Sequence, residues 1–215
     1  FHRYVLHAPL VPLLFRFYKQ HTLHHGLTAV VAKKVPGREG TLRIENRYPI
    51  VDEKQHTASF FPWYAFSVFV VLFTPILAVA QWLLPEAPIF LGGSAALLWS
   101  LFLYEPLHGL EHLPLTKWRG LLTHPRFGRV WRLFYGFHLH HHVVVRSNES
   151  ISGFLGLPVA DIFFRTRIQP ASLYPHGSTV HADALRAPSP RCIGSLDRLA
   201  EASIRKRQEG VVEIQ

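Results

Sequence analysis

Apolar and polar positions divide this chain into blocks. Residues 57–85 contain no charged side chain and no histidine, and their centre reads FFPWYAFSVFVVLFTPILAVAQWLL. A helix needs about 20 apolar residues to cross a bilayer core, so this run is long enough to span. Pro75 removes a backbone donor within it and predicts a kink. Trp63, Tyr64 and Trp82 lie near its ends, where amphipathic rings settle at a membrane–water boundary. Pro85-Glu86-Ala87-Pro88 predicts a tight turn. A second uncharged run, 87–104, follows; it is short, and Gly92-Gly93 weaken its start. The pair reads as a helical hairpin through a membrane. A buried core hairpin of a soluble protein would share the pattern, but the length of the first run favours the membrane.

The flanks are different in character. Residues 1–56 are rich in His, Lys and Arg, with one apolar stretch, 8–15, too short to span. Residues 35–40, VPGREG, predict a turn or loop. Residues 105–169 mix polar and aromatic side chains. Beyond Gln169 the chain is richer in Pro and Ser, and 195–208 predict a short basic helix with Ser195 as N-cap. The expected fold is all-α: an integral-membrane helical bundle with a cytoplasmic cap, the hairpin at about 57–104, and no β-sheet larger than a hairpin. Residues 1–169 form one membrane domain in this reading, and 170–215 a polar, basic C-terminal tail.

Charge sharpens the picture. Only 17% of residues are charged, below the roughly 25% of soluble domains, while net charge is +9. A basic balance suits nucleic acid or the cytoplasmic side of a membrane; the clumped apolar runs favour the second. Nine Lys and Arg residues lie in 1–56 and none in the turn around Glu86. The positive-inside rule therefore puts both flanks of the hairpin in the cytoplasm. A single cysteine, Cys192, allows no internal disulfide and no thiolate metal cluster. The chain starts at Phe1 with a histidine next to it, so an upstream region is expected to be missing from this sequence.

Ten of the fifteen histidines form four boxes: His2 and His7; His21, His24 and His25; His108 and His112; His138, His141 and His142. On a helix, positions i, i+3 and i+4 share a face, so the second and fourth boxes each predict three imidazoles pointing one way. His108 and His112 are i and i+4. His2 and His7, five apart, need a wider turn or a helix end to converge. Neutral imidazole ligates iron, zinc, copper and nickel. Ten ligands are too many for one ion, so two neighbouring metals are the simplest expectation. The fourth box reads HLHHH and holds a spare residue, His140, on the opposite helix face about 200° from His138. His56, His124, His176 and His181 read as ordinary surface or packing histidines.

These boxes, in the order HX4H, HX2HH, apolar hairpin, HX3H, HX2HH, resemble the fatty acid hydroxylase / sterol desaturase superfamily of membrane di-iron enzymes. Further likeness lies in Lys19-Gln20-His21-Thr22-Leu23-His24-His25, in Tyr104-Glu105, and in Asp161-Ile162-Phe163-Phe164-Arg165-Thr166, which is similar to the family's DxxFGT segment with Arg165 where Gly is usual. The resemblance spans about residues 2–166. The chain departs from it at 147–150, Ser-Asn-Glu-Ser, where the family often has an Asn-Tyr-Gly-like segment, and in a long stretch between His112 and His138.

The resemblance implies two iron ions held by the ten box histidines, with zinc as a substitute in isolated protein, and Glu111 and Asp161 as carboxylates behind the imidazoles. It implies an O2-dependent hydroxylation or desaturation of a C–H bond in a lipid, most simply a fatty acyl chain, with electrons from a separate donor protein. A sterol or carotenoid would be the alternative substrate. A non-enzymatic membrane metal protein ranks lower, because transport places ligands inside the spanning helices and residues 57–85 carry none. A nucleic-acid partner is not expected.

Overall fold

The computed structural model describes residues 1–150, 158–170 and 172–212. The protein is mostly helical, with 59% helix and 7% strand. After a short helical turn at His2–Leu6 come α1 (Phe15–Leu27), β1 (Val30–Lys34), β2 (Thr41–Asn46), α2 (Glu53–Ser59), α3 (Ala65–Leu83), α4 (Ile89–Glu111), α5 (Leu115–Leu122), α6 (Gly128–Val143), α7 (Val159–Phe164), β3 (Thr179–His181) and α8 (Gly194–Val212).

The strands correct one expectation. Residues 35–40 do form a loop, but it joins β1 to β2 in antiparallel register, Val30 opposite Asn46 and Lys34 opposite Leu42. β3 then adds antiparallel to β2, giving a three-stranded sheet rather than nothing beyond a hairpin. β3 is only three residues long and lies in the segment read as a tail, so no local periodicity announced it. One side of the sheet packs on α5 and α6 through Val30, Ile44, Tyr48, Trp118, Leu122, Tyr135, Leu139 and Tyr174. Residues past Gln169 thus supply both a strand and a core tyrosine, 1% exposed. α8 begins at Gly194, one residue before the expected cap, so Ser195 lies inside it.

The long apolar run is divided. Residues 57–59 end α2, which starts from a capping box in which Asp52 accepts from the Gln55 N–H. Pro62 disfavours a helical Phe61, and α3 starts at Ala65 with Pro75 inside it. α4 runs well beyond residue 104, through Pro106 to Glu111. Its start tolerates Gly92-Gly93 because Gly93 faces Leu77 of α3 so closely that a Cβ there would collide with the leucine.

α3 and α4 are both long and apolar enough to cross a membrane, and only 6% and 0% of their apolar windows are buried within the protein. Among the described residues the hairpin is not a buried core: Val71, Ile76, Trp82, Leu91 and Phe102 face outward, each at least 60% exposed. The hairpin's base is anchored by Val5, Leu6, Leu14, Phe17, Ala65 and Phe69, which form a second core beneath the first box.

Candidate metal centre

Each histidine box sits on an element whose pitch suits its spacing. His2–Leu6 winds as a single π-helical turn, and the His7 N–H donates to the His2 carbonyl at 3.1 Å. An i→i+5 turn brings residues five apart together, and the two rings lie 4.7 Å apart between centroids. This is the wider turn that the spacing demanded. The second box lies on α1, the third on the last turns of α4, and the fourth on α6.

The ten imidazoles assemble into two groups of five. One comprises His2, His7, His21, His25 and His141; the other His24, His108, His112, His138 and His142, and within each group one ring nitrogen per residue lies within 4.8 Å of the rest. Ligands on opposite sides of one ion at 2.0–2.1 Å would be about 4.2 Å apart, so each group is within a few tenths of an ångström of a single coordination sphere. The second group is wholly buried, whereas His2, His7 and His25 of the first are partly exposed.

The grouping corrects the expectation that each HX2HH box aims all three rings one way. With 100° per residue, the i and i+4 rings are only about 40° apart, but the i+3 ring is about 100° from the i+4 ring. His21 and His25 therefore join one group while His24 crosses to the other; His138 and His142 join the second while His141 crosses to the first. Each group takes one two-histidine box, one i/i+4 pair and one crossing ring.

Hydrogen bonds fix which nitrogen faces inward. A carbonyl oxygen can only accept, so Nδ1 carries the proton where His2 donates to the Glu149 carbonyl at 2.7 Å, His141 to Ser147 at 2.8 Å, His112 to Tyr48 at 2.8 Å and His142 to Thr28 at 3.1 Å. Ser59 gives its own hydroxyl proton to the Gln55 carbonyl, so His24 Nδ1 donates to Ser59 Oγ at 2.8 Å. In each of these neutral rings Nε2 is left with a lone pair pointing inward. The Nε2 atoms of His24 and His142 are buried with no hydrogen-bond partner. His21 Nε2 lies 2.9, 3.0 and 3.1 Å from the Nε2 atoms of His2, His7 and His25. A single N–H cannot satisfy three nitrogens; a cation among them can. The donor set therefore fits a metal. Burial first, then the neighbouring imidazoles, hold His2, His7, His21, His25 and His142 well below the usual histidine value, and burial pushes His141 down to about 4. All stay neutral at pH 7, the form that binds metal.

The remaining histidines stand apart. His140 is buried on the far side of α6, where its Nδ1 meets the Tyr174 hydroxyl at 2.6 Å. His124 Nδ1 accepts the backbone N–H groups of Arg126 and Phe127, His176 accepts that of Asn46, His181 pairs with Asp183, and His56 stacks on Phe60.

The two expected carboxylates divide. Glu111 is buried beside His112 and, after burial itself, is what pushes the Tyr48 phenol up. Asp161 does not touch an imidazole through any described hydrogen bond. It accepts from the N–H groups of Glu149 (3.0 Å) and Ser150 (2.7 Å) and from the Thr166 hydroxyl (2.5 Å). It orients His2 at one remove, by pinning the backbone whose carbonyl receives the His2 proton. Asn148 completes the stitching, donating to the carbonyls of Phe137 and Ile168 and accepting from Ile168 N–H. Arg165, where the similar motif has Gly, takes a left-handed backbone, φ 58° and ψ 37°, at the end of α7, which explains a glycine preference there. The carbonyls of Thr28, Tyr48, Ser147 and Glu149 are the orienting groups that side-chain chemistry could not announce.

A clamp from the far end of the chain secures the first group. Arg3 donates to both carboxylate oxygens of Asp197 on α8 at 2.8 Å and to Glu149 Oε1 at 2.7 Å. Tyr4 donates to Asp197 at 3.1 Å. The Arg3 guanidinium holds the Asp197 carboxyl below its usual value, while burial pushes Glu149 up to about 7 despite Arg3.

Comparison with protein-family models, with curated proteins and with solved structures found no match.

Two outcomes follow from this geometry. His141→Ala should abolish metal loading of the first group and leave the second loaded, measured by elemental analysis of purified protein, whereas His140→Ala should weaken loading by at most about 10-fold; the reverse order would mean that α6 does not present the fourth box as described. Arg3 keeps Glu149 when Asp197 is removed, so Asp197→Ala should cost less than the roughly 3–5 kcal/mol of an unpaired buried charge, yet still loosen the His2 turn and deplete metal from the first group before the second. Metal stoichiometry measured during chelator titration reads this directly, and loss of both groups together would disprove a local clamp.

Proposed function

We propose that this chain is the catalytic portion of a membrane-bound di-iron oxygenase of the fatty acid hydroxylase type, oxidising a C–H bond in the acyl chain of a lipid. The observation that carries the reading is an apolar cavity of about 210 Å³ that joins the hairpin to the first histidine group. It is lined by Phe61, Phe69, Phe73, Leu97, Leu101 and Tyr104 and ends on His2 and Glu149. Its walls come from both α3 and α4, so a chain lying among the hairpin helices can enter it sideways. The volume is below the roughly 300–1,000 Å³ of drug-sized pockets, which suits a length of acyl chain better than a fused-ring nucleus.

Iron is favoured over zinc by ligand number. Structural zinc is closed by four ligands, whereas five imidazoles leave one position of an octahedron for another ligand. Neither group contains a carboxylate, unlike the bridged sites of soluble di-iron bundles. Bound there, two irons would supply the reductive activation of O2 that an unactivated C–H bond requires. The protein's own part is positional. Carbonyl-anchored Nδ1 atoms fix the imidazoles, the phenylalanines exclude water from the chain, and the partly exposed rim of the first group is where reactants approach. Glu149, whose carboxyl burial pushes up to about 7, lines the cavity beside His2. In this reading the hairpin spans the membrane and the histidine groups face the cytoplasm, where a separate donor protein delivers electrons.

The test is lipid mass spectrometry of cells carrying the full-length gene or its His141→Ala variant. A product gaining one oxygen or losing two hydrogens, present only with the unsubstituted gene and accompanied by iron in the purified protein, is expected; iron-loaded protein with an unchanged lipidome would refute the oxygenase reading. The orientation is tested by Glu86→Cys in a Cys192→Ser background. A thiol reagent should label it only from the non-cytoplasmic face of sealed vesicles.

A further inference from the structure

The corner formed by α5 and the start of α6 combines two features that the site does not use. The first is charge. Between Glu111 and Glu149 the sequence has no Asp or Glu, while Lys117, Arg119, Arg126 and Arg129 are all exposed on this corner, around outward-facing Phe127 and Val130. The second is a continuous file of aromatic rings leading inward from it. Partly buried Trp131 lies 6.0 Å from Trp118 between ring centroids, Trp118 lies 5.3 Å from Tyr135, Tyr135 lies 5.8 Å from Tyr48, and Tyr48 lies 4.2 Å from the ring of His112. The Tyr48 carbonyl also accepts the Nδ1 proton of His112. The file therefore ends in contact with a ring of the buried histidine group. α6 itself bridges the same gap, with about 10 Å of helix rise between Trp131 and His138.

Neither feature alone specifies a partner. A basic patch with an apolar centre would also suit an anionic membrane, but a membrane has no use for an aromatic file that starts at the patch and stops at a ligand. We propose that the α5–α6 corner is the docking face for an acidic, one-electron donor protein, and that the Trp131–Trp118–Tyr135–Tyr48 file is the route by which its electron reaches the second histidine group. Complementary charge steers such encounters and is screened by salt. The electron is lost by the donor's reduced cofactor and gained by the metal ion, one for one. The rings act as a tunnelling medium, and no bond or proton moves along them. The route rests on the redox reading given above; the docking face does not.

The experiment uses a reduced plant-type [2Fe–2S] ferredoxin as the acidic probe and the full-length, metal-loaded protein without O2 or lipid. Binding is measured by interferometry, and electron transfer by the return of the oxidised ferredoxin absorbance. Arg126→Glu/Arg129→Glu should weaken ferredoxin binding roughly 10-fold or more at low salt, with the difference vanishing at high salt, while reduction by methyl viologen radical, which needs no docking face, continues at the unsubstituted rate. Trp131→Leu should leave ferredoxin binding intact and slow its electron transfer several-fold. Unchanged binding in the charge-reversed variant overturns the docking face. So does loss, in that variant, of partition onto phosphatidylserine vesicles while ferredoxin-driven reduction stays intact, since the patch would then be a membrane contact. Unchanged transfer in Trp131→Leu overturns the route. If methyl viologen radical reduces nothing in the unsubstituted protein, the redox reading itself has failed and the route with it, while the binding comparison still decides the docking face.

Discussion

Five hydrogen bonds set the terms for everything else in this protein. By taking the Nδ1 protons of His2, His24, His112, His141 and His142 into carbonyl and hydroxyl oxygens, the fold points five Nε2 lone pairs into two small interior spaces. Buried acceptors facing one another are costly in the absence of a positive partner. An ion at their centre turns the same arrangement into coordination, so part of the binding free energy becomes folding free energy. The surrounding structure can be read as what is needed to hold ten such rings in place. It includes a π-turn, two helices that each split their box between the groups, and a loop stitched by Asp161 and Asn148.

The carbonyls doing the orienting also explain why the sheet exists. Tyr48 lies two residues past the end of β2, Thr28 two before the start of β1, and both carbonyls receive histidine protons. A flexible connection between α1 and α2 would leave those acceptors unpositioned. Pairing β1 with β2, and β2 with β3, fixes the backbone at both points and seats Tyr48 against His112 and Tyr135.

Much of this was legible in the residues, and the illegible part has a common cause. The hairpin was readable because a long uncharged run has few other solutions. The clustering of the box histidines was readable because metal binding constrains residue type and spacing together. The need of His2 and His7 for a wide turn was likewise written in their separation. By contrast, β3 and the Arg3–Asp197 clamp depend on partners more than a hundred residues away, and the core role of Tyr174 on partners at least thirty away; such contacts leave no local period. The split of each HX2HH box was present in the arithmetic of the helix, since 40° and 100° are different angles, but shared-face reasoning coarsens both into one face. Backbone carbonyls as orienting groups carry no side-chain signal at all.

The two histidine groups are unequal in a way that bears on how such a centre could work. The second gathers rings from the last turns of α1, α4 and α6, and all five are buried. The first depends on a five-residue π-turn at one end of the chain, held by α8 from the other, and its rings are partly exposed next to the apolar cavity. Long-range closure of that kind is cheaper to loosen than a wholly buried cluster, since local openings draw on the least buried contacts. An oxygenase centre of the proposed kind, admitting a small oxidant and a lipid chain, needs one side that can open and one that cannot. In the proposed reading the rigid side is the natural end for an electron route, because tunnelling depends on fixed distances, and the side that can open is the natural place for substrate. The aromatic file running to His112 and the cavity ending on His2 divide along that line.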